Sequence, residues 1–593
     1  MKLSPFDRER FIGYVSSVTP TTASICFPTP KLLERFYYDG DILHGGLVGN
    51  YVVIEGHGYG LLAKTIKVML EDKLSSYQSH SALSRSSAHP VAIVEFQLSF
   101  DSFSLTNEGA GIEQYPEIGA RVFACQLSIL EKLIKDFGSK PDTKSRPDDL
   151  LELVKLDSDS SKIINISANA LLSRHCAIVG TTGSGKSYTL AKLIEELTKR
   201  KDSKIVLLDA TGEFEEFGRQ DYGSSLKFGV GGDANFPYQK LTESDLFALF
   251  RPAGQTQEPI LQQAIRSLKL AKTIPDNQIV SDGNIVKTNL LKATYTSLYK
   301  EHEEQIEDEL SDFDISKIMK QIEYECVYDS TFGQSRGERI YTKWGDPDLR
   351  QLDNCTSLIR RISNLRVKSG VSTLFGFKKQ EGLKEFTTEF SKFYQSDKKL
   401  LLVDISQIPT DSNARDIFSN AVGRFFLEGL RKQSSNFTGF KDKPLVLMVD
   451  EAHLIFEKEK VKDEFSNEYR LDAFAKLAKE SRKYGLFLCL STQRPSDIPP
   501  GVLSQMGTFI AHRLINDRDI EAIKNSVQDS SLGLLSFLPT FKKGQALLTG
   551  NEFPMPIVIQ TNCIGNIVPK SNTPILFSKD AKAKDDMVES SQN

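Results

Sequence analysis

The chain has 593 residues, 39% of them apolar, and its 74 Lys and Arg against 78 Asp and Glu leave a formal net charge of −4. That composition excludes a disordered chain, a collagen-like repeat and a small disulfide scaffold, and it suffices for sizeable cores. It also excludes a surface coated in positive charge, so any nucleic-acid contact must be confined to a groove or channel.

The first 130 or so residues read as β structure. Short segments rich in β-branched and aromatic residues recur at Phe11 to Val18, Thr22 to Phe27, Tyr51 to Glu55, Leu61 to Val68, Val91 to Leu98 and Arg121 to Gln126. Turn clusters such as Tyr38-Asp39-Gly40-Asp41 and Gly56-His57-Gly58 separate them. This spacing predicts a small barrel or sandwich, with no catalytic constellation inside it. The polar stretch from Gly138 to Pro147 reads as a linker or surface loop.

Beyond it the pattern becomes α/β. Cys176 to Val179 predicts a buried strand, Ser187 to Lys201 a helix, and Lys204 to Leu208 a second strand. Residues 218 to 397 are polar and mostly helical in pattern, and their acidic run Glu301 to Glu309 reads as a solvated helix face. Strands return at Leu400 to Val403, Leu445 to Val449 and Leu486 to Leu490, each apolar on both faces, as in a parallel sheet covered by helices. The last twenty or so residues predict a flexible tail.

Seven cysteines (Cys26, Cys125, Cys176, Cys326, Cys355, Cys489 and Cys563) form no CxxC pair, and the eight histidines show no metal-ligand spacing. The first residues turn charged before any apolar stretch develops, unlike a signal peptide, and no run approaches the roughly 18 apolar residues of a membrane helix. The expectation is a soluble, cytoplasmic protein with no membrane contact.

The strongest chemical signal is Gly180-Thr181-Thr182-Gly183-Ser184-Gly185-Lys186-Ser187, which fits G-x-x-x-x-G-K-[ST] between an apolar strand and a helix. Glycines let successive backbone N–H groups curl round phosphates, and the helix N-terminus adds its positive dipole end. Gly180, Thr182, Gly183, Ser184, Gly185, Lys186, Ser187 and Tyr188 are therefore the candidate nucleotide contacts. Lys186 would reach the β- and γ-phosphates of ATP and the Ser187 hydroxyl would ligate Mg²⁺. The second half of such a site is an apolar strand ending in acids, supplied by Leu445 to Val449 followed by Asp450-Glu451. Asp450 is the candidate for the magnesium shell and Glu451 for activating the attacking water. A third strand ends in Ser491-Thr492-Gln493-Arg494-Pro495, where Gln493 is placed to sense the γ-phosphate.

Asp450-Glu451-Ala452-His453 spells the box of DEAH-type RNA helicases, but the spacing rejects that reading. Asp450 follows Lys186 by 264 residues, too many for the compact first domain of those helicases, and only 140 residues follow His453. ABC transporters are excluded too, because no LSGGQ-like segment lies between the two nucleotide motifs. The gap predicts a RecA-like P-loop ATPase core carrying a large helical insertion.

With these motifs in place, the chain resembles the HerA-type hexameric DNA translocases of the HerA/FtsK branch of P-loop ATPases. The resemblance rests on Arg174-His175-Cys176-Ala177-Ile178-Val179-Gly180, Leu208 to Phe214, Leu402 to Ser406, Val449 to His453 and Lys479 to Gly485. It continues through Ser491 to Ser496, Val502 to Met506 and Gly544 to Leu548, and so spans nearly all of residues 170–560. The β region resembles the family's small HAS barrel. Asp209-Ala210-Thr211-Gly212-Glu213 departs from the pattern, since relatives more often carry Pro-His before the glycine, and no metal or nucleotide role is assigned to it.

The resemblance implies a homohexamer with ATP at the subunit interfaces and double-stranded DNA in the central pore. An arginine from the next subunit would stabilise charge on the transferring phosphate; Arg174 and Arg482 match that role, with Arg513 as an alternative. Arg360, Arg361, Arg366 and Lys368 of the insertion are candidates for pore contact, and a solvated helix face explains them equally well. The resemblance also implies a separate nuclease or NADase-type effector, in DNA-end processing or antiphage defence. The expected function is an ATP-hydrolysing translocase or helicase motor. The other reading is a nucleotide-dependent ring scaffold that activates an effector with little translocation. The expected division is a barrel over 1–130, a linker and first core part over 131–217, an insertion over 218–397, a second core part over 398–560, and a C-terminal extension over 561–593.

Overall fold

Alternate apolar side chains on Phe11–Val18 (β1), Thr22–Cys26 (β2), Tyr51–Glu55 (β3), Tyr59–Leu70 (β4), Pro90–Asp101 (β5) and Arg121–Ala124 (β6) turn inward and close an antiparallel barrel. Its order is β1-β2-β5-β4-β3-β6. The computed structural model describes residues 4–70, 90–106, 111–135, 137–138, 149–156, 159–332, 339–378, 380–410, 413–432, 440, 443–456, 460–462, 468–527, 532–565 and 567–570. Most of the expected linker and the whole expected tail lie outside the described residues.

Ile12, Ile25, Val52, Ile54, Leu61 and Val94 fill the barrel. Val53, Leu62 and Leu98 point the other way and are still buried, packed with the helix Leu127–Leu133 and the ATPase core. Two buried faces explain why β3 reads Tyr-Val-Val-Ile-Glu rather than alternating with polar residues. Glu95 Oε1 accepts the Gly533 N–H at 2.9 Å, which ties the barrel to the core.

The core is one eleven-stranded sheet. In chain order its strands are Leu150–Leu156 (β7), Asp159–Ser167 (β8), Cys176–Val179 (β9), Lys204–Asp209 (β10), Gly223–Gly229 (β11), Leu400–Gln407 (β12), Leu445–Val449 (β13), Leu486–Thr492 (β14), Thr508–His512 (β15), Gln545–Gly550 (β16) and Ile557–Thr561 (β17). Their spatial order is β8-β7-β17-β16-β15-β9-β14-β13-β10-β12-β11. From β15 to β11 the pairing is parallel; from β15 outward through β16, β17, β7 and β8 it is antiparallel.

All five residues of β13 are buried because both faces are covered. Leu445, Leu447 and Val449 face one apolar cluster, and Val446 and Met448 face the other. The helix Lys186–Thr198 covers the second face through Leu190, Leu193, Ile194 and Leu197. The first face is covered by the helices Ala414–Lys432 and Ala473–Glu480 and by the insertion.

Phe228 of β11 meets Phe386 and Phe418, and Phe236 meets the same two rings, so insertion and sheet share one aromatic core. The insertion is thus a layer on the sheet. The expected boundary at 217/218 moves, because β11 pairs with β12 and belongs to the core sheet; the insertion begins after Gly229. Glu301, Glu303, Glu304, Glu307, Asp308 and Glu309 are exposed round a single buried anchor, Ile306. Among the described residues no helix is long and apolar enough to cross a membrane.

Candidate nucleotide site

Four parallel strands bring the chemistry together at their carboxyl ends, where open α/β sheets bind ligands. Val179 of β9 aligns with Thr492 of β14, Leu490 of β14 with Val449 of β13, and Val449 with Leu208 of β10. The next residues of each strand therefore face one crevice.

The phosphate loop leaves β9 with Gly180 at φ +156° and Gly185 at φ +121°. A Cβ on Gly180 would lie 2.6 Å from both His512 Cβ and Ser184 Oγ, so the loop has no room for a side chain there. Ser184 Oγ donates to the Thr181 carbonyl at 2.6 Å, and the Thr181 N–H donates to the Arg513 carbonyl at 2.9 Å. Those bonds brace the loop from within and from the neighbouring strand.

Lys186 is buried, with its Nζ 3.9 Å from Glu451 Oε1. Burial pushes the amine's pKa down, while Glu451, Asp450 and Glu213 pull it back. Glu451 sits just past β13 at φ +45°, a strained state for a non-glycine residue and common at functional positions. Its Oε2 lies 3.2 Å from His453 Nδ1. Burial opposes its ionisation, but the His453 bond and the Lys186 charge outweigh that and hold the carboxyl below its ordinary value. Asp450 is 2% exposed, and burial followed by the charges of Glu451 and Asp209 pushes it up to about 8. The Thr182 hydroxyl donates to Gln493 Oε1, which places Gln493 on the phosphate loop.

One contributor was not assigned from the sequence. Asp209 accepts backbone N–H groups from Thr211, Gly212 and Phe214, folding residues 209–214 into a tight loop. That loop delivers Glu213 to Ser187, whose hydroxyl donates to it. Burial, then the nearby Asp209 and Glu451 charges, raise Glu213 above its ordinary value. The available signal was an acid just beyond a strand adjacent to the Asp450 strand.

Hard oxygen donors from Ser187, Asp450 and Glu213 fit Mg²⁺. No group of three or more His, Cys, Asp or Glu converges on a metal position among the described residues.

The Helicase HerA central-domain family matches residues 151–424, and the Helicase HerA-like C-terminal family matches 433–588. The chain belongs to the HerA family. A probable helicase of Methanocaldococcus jannaschii is 27% identical over 89% of this chain and 92% of its own. The DNA double-strand break repair helicase HerA of Pyrococcus furiosus is 21% identical over 67% of this chain and 66% of its own. Among solved structures, VirB4 of Thermoanaerobacter pseudethanolicus is 16% identical over 70% of this chain and 97% of its own, with a TM-score of 0.39.

In this HerA-family chain the remaining predicted residues are placed unevenly. The Tyr188 hydroxyl accepts the Ile564 N–H at 2.9 Å and so pins the segment after β17. Arg513 is exposed beside its own phosphate loop. Arg174 and Arg482 precede β9 and β14, at the amino ends of strands whose carboxyl ends hold the nucleotide crevice. Five residues lie between Arg174 and Gly180, and the four of them that form β9 span roughly 13 Å. Arg174 Nε pairs with Glu552 Oε1 at 2.7 Å, and Arg482 is exposed. In the insertion, Arg361 donates to the Phe250 and Arg251 carbonyls and Arg366 to Ser316, so both guanidiniums serve the insertion itself.

Proposed function

We propose that this HerA-family ATPase is a subunit of a homohexameric ring that hydrolyses ATP at subunit interfaces and drives double-stranded DNA through a central pore. The observation that carries this reading is the placement of Arg174 and Arg482 at the sheet edge opposite the phosphate loop. Each stands at the opposite end of its strand from the crevice of its own subunit. In a head-to-tail ring that edge meets the next subunit's crevice.

Within the site, Lys186 holds the β- and γ-phosphates, Glu451 accepts the proton of the attacking water, and Gln493 aligns that water against the γ-phosphate. Ser187 and Asp450, with Glu213 beside them, would hold Mg²⁺, which supplies charge neutralisation on the phosphates. Arg174 and Arg482 stabilise the charge that builds on the transferring group of the neighbouring subunit. The ring would work with a separate nuclease or NADase-type effector, the partner that the family resemblance implies.

Arg174→Ala and Arg482→Ala are each expected to lower turnover by about 10³-fold, the scale of an arginine supplied in trans, and to leave nucleotide binding intact. Rings mixed from either variant and Lys186→Ala subunits should regain hydrolysis at interfaces that pair an intact loop with an intact arginine. No recovery at any mixing ratio would count against action across the interface.

Duplex DNA is expected to stimulate ATP hydrolysis, with a response that weakens as salt rises because the contacts are to phosphates. A turnover indifferent to DNA, together with a Glu451→Gln ring that keeps full effector function, would instead establish the scaffold reading.

A further inference from the structure

His175 joins the two arginine-bearing segments and does so from a strained backbone. Its φ is +63°, in the left-handed region that residues with a Cβ enter at a cost. Its ring is buried, and both nitrogens are engaged. The Leu488 N–H donates to Nδ1 at 2.9 Å, and Nε2 lies 3.0 Å from the Ala478 carbonyl oxygen. With Nδ1 accepting, the ring proton sits on Nε2 and is donated to Ala478. Burial pushes the imidazole's pKa down to about 4, and the Arg482 charge adds to that, so the ring stays neutral at physiological pH.

The partners of that ring are informative. Ala478 lies in the helix Ala473–Glu480 just before Arg482, and Leu488 lies in β14 just after it. A single imidazole therefore grips both flanks of the Arg482 turn. Just before β9, the Arg174 carbonyl accepts the Gly507 N–H at 2.7 Å and the His175 carbonyl accepts the Thr508 N–H at 3.2 Å. A Cβ on Gly507 would fall 2.3 Å from Arg174 Cβ, so the Arg174 backbone is closely packed as well.

We propose that His175 is a positioning residue that locks the Arg174 and Arg482 segments into one rigid unit, so that both guanidiniums meet the neighbouring subunit's γ-phosphate in fixed relative geometry. The proposal rests on the reading of those arginines as acting in trans. A histidine that merely fills space would not need two hydrogen bonds to the backbone on either side of the second arginine.

The test uses the full chain with ATP, Mg²⁺ and duplex DNA, and reads turnover, nucleotide affinity and thermal midpoint. His175→Phe keeps the ring volume and loses both bonds; His175→Gln can restore the donor to Ala478. His175→Phe is expected to lower turnover about tenfold, a scale on which contacting residues couple. Nucleotide affinity should stay within about twofold, as for a group acting after binding. His175→Gln should recover part of the loss. In an Arg174→Ala, Arg482→Ala background, His175→Phe should add nothing further. Mixed rings of His175→Phe and Lys186→Ala subunits should regain activity, which a general folding defect would not allow.

An additive loss in the arginine background, a parallel fall in nucleotide affinity, or no recovery in mixed rings would overturn the positioning role alone. Unchanged turnover in Arg174→Ala and Arg482→Ala would overturn the trans reading and this proposal with it. If His175→Phe does not assemble, His175→Gln carries the same comparison. Failure of both to fold would assign His175 to stability and overturn the proposal.

Discussion

Lys186→Ala is expected to abolish nucleotide binding. The side chain is 6% exposed and 3.9 Å from Glu451, so it is already desolvated and aimed at the crevice. A charge-assisted contact to phosphate in such a place contributes about 3 kcal/mol, or at least about 100-fold in affinity. The full loss should be larger. Removing the ammonium takes away the positive charge that Glu451, Asp450 and Glu213 face across the crevice. Titration with a fluorescent ATP analogue checks this directly. Thermal melting gives a second readout, because the native chain should gain about 2.7 kcal/mol at a hundredfold excess over Kd and the variant should gain nothing. Near-native affinity in Lys186→Ala would remove the phosphate loop from the mechanism.

Glu451→Gln should separate binding from chemistry. The variant is expected to bind ATP and to hydrolyse it about 10²- to 10⁴-fold more slowly, the range for losing a positioned general base. The structure gives the reason. Glu451 is held ionised despite its burial, by His453 and by Lys186, so a proton acceptor stands ready at the tip of β13. Glutamine keeps the shape and gives up the acceptor. Single-turnover measurement with bound ATP distinguishes the outcomes, and near-native turnover would withdraw Glu451 as the base.

Much of the site was legible because its information is local. The phosphate loop is eight consecutive residues whose glycines, lysine and serine act through backbone geometry that the segment carries with it. Asp450, Glu451 and Gln493 could be read because each ends a strand with two buried faces, which leaves an unbroken apolar run in the sequence. The six barrel strands were found within a few residues of their ends, although Val53, Leu62 and Leu98 blur the alternation by packing outward on the core.

Other features escaped for identifiable reasons. The strand Gly223–Gly229 has the sequence Gly-Ser-Ser-Leu-Lys-Phe-Gly, and as the edge of the sheet it needs fewer apolar residues than its neighbours. Glu213 could not be placed from its departure from the family pattern, because its position follows from three backbone bonds that close the loop on Asp209.

By itself, then, the sequence determined the family and the order of the candidate site's parts along the chain. These depend on short segments whose conformation is dictated by their own residues. Only the tertiary structure decided which ends of the strands face which way. It gathered Glu213 with Ser187 on one edge and sent Arg174 and Arg482 to the other, through parallel pairing that aligns every amino end on one side of the sheet and every carboxyl end on the opposite side. That division between edges is a property of the sheet as a whole, and no single segment contains it.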